Sequence, residues 1–114
     1  MKGDPPMGFK AGKDKPLEIE SVQGGMRFTI ADRCVILAPN YVRAIRDYLD
    51  MEFVPPFMAF PEDGTGVLRV YQEDDGMTWF RVFHTETKEG RLSCLSNYET
   101  GQLYEWLNSQ LDNV

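Results

Sequence analysis

Residues 17–30 alternate with a period of two across a glycine turn, a pattern that commits this part of the chain to antiparallel sheet. Leu17 and Ile19 fall on one side of the segment Leu17–Val22 and Glu18 and Glu20 on the other, as a half-buried strand requires. Gln23-Gly24-Gly25 supplies residues that tolerate positive φ in a hairpin turn. Met26, Phe28 and Ile30 resume the alternation against Arg27 and Thr29. Asp32-Arg33 marks the next turn, and Cys34–Leu37 reads as a third, apolar strand. Short links make sequential strands neighbours, so a three-stranded meander is expected.

Helical spacing takes over after Pro39, a residue suited to the first helical position because its missing N–H is not needed there. Tyr41, Ala44, Ile45, Tyr48 and Leu49 share one face, with Arg43, Arg46, Asp47 and Asp50 outside it. Pro55 and Pro56 stop that helix near Glu52. A second series of strand patterns follows: Thr65–Gln72, Met77–Glu86 and Arg91–Leu95, separated by Glu73-Asp74-Asp75-Gly76 and Thr87-Lys88-Glu89-Gly90. Ser96 stands three residues before Glu99, the spacing of a reciprocal capping box. The helix after it carries Leu103, Trp106, Leu107 and Leu111 on one stripe. Gly101 inside this helix costs about 1 kcal/mol relative to Ala, and close packing would be a reason to keep it.

The expected fold class is therefore α+β, mainly antiparallel sheet with two amphipathic helices in the order βββα-βββα. At an offset of 58 residues Ile45 meets Leu103, Tyr48 meets Trp106 and Leu49 meets Leu107, the pattern of a pseudo-repeat. A chain of 114 residues suits one core. Residues 17–114 are expected to form the domain, and residues 1–16, with Pro, Gly, Lys and only isolated apolar residues, a flexible tail.

Charge and chemistry narrow the functional classes. The net charge is −6; the first 16 residues hold four lysines and two aspartates, which leaves −8 on residues 17–114. Such a body repels a duplex phosphate backbone on average. The apolar run that a membrane span needs is missing, as is an N-terminal apolar core resembling a signal peptide, and two cysteines make no disulfide framework. A cytoplasmic location without membrane contact is the expectation. A single histidine and two isolated cysteines give no metal-ligand spacing, and no phosphate-binding or dinucleotide-binding signature is present. No cofactor, metal or catalytic residue is expected. The residual enzymatic reading places His84 opposite Ser93 as a base and nucleophile, a pair without an orienting acid.

Two surfaces remain as binding candidates. Met51, Phe53, Val54, Phe57, Met58 and Phe60 crowd a proline-punctuated stretch that must either cover the core or dock a protein partner. If the loops at 73–76 and 87–90 each hold four residues, Leu68, Val70, Trp79, Phe83, Leu92 and Cys94 form the core face, with Arg81 its only charge. Arg69, Tyr71, Phe80, Val82, His84, Arg91 and Leu95 then form the outer one. From these come the expectation of a non-enzymatic binding or regulatory module that acts through protein contacts and self-associates as a homodimer. The alternative is single-stranded nucleic-acid binding through Arg69, Tyr71, Phe80, His84 and Arg91, where arginines neutralise phosphates and aromatic rings stack bases.

Overall fold

A computed structural model describes residues 8–12, 15–51, 55–61, 64, 66–84, 86 and 89–112. The chain is α+β, with two four-stranded antiparallel meanders, each followed by a helix. The first half holds β1 (Gly8–Ala11), β2 (Leu17–Val22), β3 (Gly25–Ile30), β4 (Arg33–Leu37) and α1 (Pro39–Leu49). The second holds β5 (Phe57–Ala59), β6 (Gly66–Gln72), β7 (Thr78–His84), β8 (Gly90–Leu95) and α2 (Asn97–Asp112).

Each half thus has one strand more than its alternating pattern predicts. β1 lies inside the stretch expected as a flexible tail, where it pairs with β2, Phe9 opposite Ile19 and Lys10 opposite Glu18. β5 lies inside the proline-punctuated stretch and pairs with β6, Phe57 opposite Val70. Both are edge strands of three or four residues. Prolines flanking a short edge strand remove no ladder hydrogen bond from the sheet interior.

Turn chemistry sets the first sheet. Val22 pairs with Gly25, and the two-residue turn between them places Gly24 at φ 90°. Gly25 is there for space as well, since a Cβ would fall 1.9 Å from the Leu37 carbonyl oxygen. The following turn is Ala31-Asp32, one residue earlier than the sequence suggests, with Ala31 in the left-handed region at φ 57°.

The inner faces of the two sheets meet in one core. Leu17, Ile19, Met26, Phe28, Ile30, Val35 and Leu37 come from the first half, and Leu68, Val70, Phe80, Val82 and Leu95 from the second. The buried apolar side chains of both helices join the same cluster: Val42, Ile45, Tyr48 and Leu49 from α1, and Leu103, Trp106 and Leu107 from α2. Full burial of a Phe or Leu contributes about 1.5–3 kcal/mol each.

The helices cross over between the halves. Tyr48 of α1 packs on Phe57 of β5 with ring centroids 5.9 Å apart at 35°, and Trp106 of α2 packs on Phe9 of β1 at 5.8 Å and 36°. Each helix closes the first strand of the opposite meander. The 58-residue offset relates Tyr48 to Trp106 but not their partners, since Phe9 and Phe57 stand 48 residues apart. Along the offset, buried positions of the last strands and the helices coincide: Leu37 with Leu95, Val42 with Thr100, Ile45 with Leu103, Leu49 with Leu107.

Their starts differ. Ala38 offers α1 no side-chain cap. At α2 the capping box forms as expected: the Glu99 amide donates to Ser96 Oγ at 3.1 Å and the Ser96 amide to Glu99 Oε1 at 2.9 Å. The second carboxylate oxygen of Glu99 accepts from the Gly12 amide at 3.3 Å, which ties the chain leaving β1 to the start of α2. Gly101 has open space where a Cβ would stand, so close packing does not account for it.

Candidate binding face on the second sheet

The register of the second sheet decides which side chains are available. Gln72 pairs with Thr78, which makes the β6–β7 connection five residues rather than four. The Glu73 amide donates to the Met77 carbonyl and the Met77 amide to Asp75 Oδ1, both at 2.9 Å, so the extra residue is built into the turn. One residue of slip exchanges the faces of β7 and β8 relative to β6. Phe80, Val82 and Leu95 are 0–2% exposed and belong to the core, together with Thr78 and Ser93. Trp79 and Phe83, expected inside, point the other way with Leu92 and Cys94.

The outer face therefore carries Met58 from β5, Val67, Arg69 and Tyr71 from β6, Trp79, Arg81 and Phe83 from β7, and Leu92 and Cys94 from β8. Met58 and Leu92 are exposed, Val67 is buried, and the others are half-buried. Across the central pair of strands Tyr71 faces Trp79, Arg69 faces Arg81 and Val67 faces Phe83. Tyr71 and Trp79 stack at 6.4 Å with planes 10° apart. The Arg69 guanidinium lies over Tyr71 at 4.8 Å and that of Arg81 over Phe83 at 4.5 Å, contacts of the cation–π kind. No Asp or Glu occupies a described position on this face.

Other residues singled out from the sequence have different places. Phe80 is fully buried and cannot meet a ligand at the surface. Arg91 forms a bidentate pair with Asp32, 2.9 Å and 3.3 Å, while Arg33 meets Glu89 at 2.6 Å, so the β3–β4 and β7–β8 hairpins are clasped by two ion pairs. His84 ends β7 opposite Gly66, where its Nδ1 accepts from the Glu86 amide at 3.3 Å. Ser93 pairs with Phe80 and is buried, so no Ser93–His84 pair exists. Of the proline-punctuated stretch, Phe57 packs against the core and Met51, Met58 and Phe60 are exposed. Phe53 and Val54 lie outside the described residues.

Two concavities lie at corresponding ends of the halves. One, of about 290 Å³, is framed by Gly24, Met26, Pro39, Val42 and Leu111 and is mainly apolar. Its counterpart, of about 550 Å³, is lined by Asp50, Glu73, Asp74, Thr78, Asn97 and Thr100. Among the described residues no group of three His, Cys, Asp or Glu is placed to hold a metal ion, and no helix is long and apolar enough to cross a membrane. Burial, then Asp75 and Glu99, raise the thiol pKa of Cys94. No family model, curated protein or solved structure matches this chain.

Proposed function

We propose that this chain is a non-enzymatic binding module whose working surface is the outer face of β5–β8 and whose ligand is single-stranded nucleic acid. One observation carries this reading. In a chain of net charge −6, a four-stranded face sets Arg69 directly opposite Arg81 between aromatic rows and carries no carboxylate at its described positions. Arginines meet phosphates, and ring and guanidinium planes stack bases without selecting a sequence. Nucleic-acid binding is the alternative that the sequence raises, and the residues that support it differ: Trp79, Arg81 and Phe83 stand beside Arg69 and Tyr71, and Phe80, His84 and Arg91 drop out.

Fluorescence anisotropy of a labelled oligothymidylate in low salt tests it. Binding should weaken as salt rises, with a log–log slope near −1.4 for about two neutralised phosphates on a single strand. Absence of binding at tens of micromolar protein would remove the proposal.

A second reading, docking of a protein, rests on the exposed Met58 and Leu92 at either end of the arginine row, and on the exposed Met51 and Phe60. Aromatic residues, Met and Arg are enriched in protein interfaces. A symmetric homodimer through this face would bring four guanidiniums together. A concentration-dependent mass in sedimentation that disappears on Trp79→Ala would favour self-association over nucleic acid.

A further inference from the structure

We infer that the bound strand runs along β6 and β7 rather than across the sheet, and that its contact is about three nucleotides long. This inference rests on the nucleic-acid reading and specifies how the same face is used. Arg69 and Arg81 are directly opposite in register, yet their guanidiniums lean apart. One lies over Tyr71 and the other over Phe83. Tyr71 and Phe83 belong to rows four residues apart along the strands, since Phe83 faces Val67, a separation of roughly 13 Å at about 3.4 Å per residue. The two positive charges are therefore parted along the strand axis. One phosphodiester step is too short to join them and two steps are sufficient.

The apolar groups follow the same axis. Trp79 stands in the first row beside Tyr71 and Phe83 in the third, with the arginine row between. Across the sheet the arginine row runs from Met58 to Leu92 and the Phe83 row ends at Gly90. The Tyr71–Trp79 row alone sets two rings side by side, and the guanidinium over it is that of Arg69, with Arg81 left at the far end over Phe83. A strand laid along β7 meets ring, guanidinium and ring in turn.

Oligothymidylates of two, three, six and twelve nucleotides, titrated against the full chain at low salt, read the path directly. Each carries a 5′-phosphate, so that the trinucleotide is the shortest to span two phosphodiester steps. Affinity should rise steeply from two to three nucleotides. From three to twelve it should increase only by the number of registers that the longer strand offers. Phe83→Ala and Trp79→Ala should each weaken the trinucleotide roughly 10-fold or more, with circular dichroism confirming an unchanged fold. Affinity that keeps climbing steeply beyond three nucleotides, or a silent Phe83→Ala beside a damaging Tyr71→Ala, would overturn the path and leave the nucleic-acid reading standing. Failure of every length to bind would overturn both.

Discussion

The outer faces of the two sheets differ although the halves share one plan. On the first sheet Lys10 faces Glu18 and Glu20 faces Arg27, the latter two joined by an ion pair, with Thr29, Cys34 and the exposed Ile36 beside them. Opposite charges sit on opposite positions of the ladder, which is how a solvated sheet face lowers its own electrostatic energy. On the second sheet arginine faces arginine and the remaining described positions are aromatic, aliphatic or thiol. Inner faces must match because they build one core; outer faces carry no such requirement. The departure of the second sheet from that charge pairing is the observation on which the proposed binding face rests.

The largest effects should be shared by the halves. Phe28→Ala and Phe80→Ala both empty the common core and should each cost about 3–5 kcal/mol in denaturant unfolding. Trp79→Ala, one position away from Phe80, should cost about 1 kcal/mol of stability through its lost stacking. A Trp79→Ala loss as large as that of Phe80→Ala would mean that the outer face is structural, and the comparison would break there.

Binding should separate the sheets at the next level. Trp79→Ala should weaken oligonucleotide affinity by about 1–3 kcal/mol, whereas Glu20→Ala, on the solvated face, should leave the slope with salt unchanged. Arg69→Ala should lower the magnitude of that slope by about 0.7. Anisotropy titrations at several salt concentrations measure all three.

Helix starts give a smaller contrast. Ser96→Ala should remove about 1 kcal/mol from a capped helix, and Ala38→Ser should add about 0.5–1 kcal/mol to an uncapped one. Gly101→Ala, with open space for the new Cβ, should stabilise by up to about 1 kcal/mol. Thermal or urea unfolding reads these changes.

The smallest expected effect concerns acid. The Asp32 carboxyl is held below its ordinary pKa, first by a hydrogen bond to its own backbone and then, against the opposing effect of desolvation, by Arg91 and Arg33. A lowered folded-state pKa gives stability that is present above the unfolded value near 3.9 and lost as pH falls through the folded one. The stability difference between the wild type and Asp32→Asn should therefore shrink as pH drops below about 4.

Much of this organisation is legible in the sequence. The alternation of Leu17–Val22 and Gly25–Ile30, the helical spacing before Leu49 and the Ser96–Glu99 box are local signals, and all three produce the expected elements. β1 and β5 are not legible because short edge strands have no alternation long enough to read; Phe9 and Phe57 are placed by Trp106 and Tyr48 from the opposite half. The composition of the second sheet's outer face was hidden by a single turn. With Met77 counted as strand, Phe80 falls outside and Trp79 inside; with Met77 in the turn, as its bond to Asp75 requires, they exchange. Composition of β7 cannot arbitrate, because both of its faces are aromatic.

Backbone and side-chain chemical shifts, followed while a short oligothymidylate is added, test the central claim most directly. The account predicts movement at Arg69, Tyr71, Trp79, Arg81 and Phe83, with Glu18, Glu20, Arg27 and Thr29 unmoved. Shifts confined to the first sheet, or none on either sheet at millimolar oligonucleotide, would contradict it.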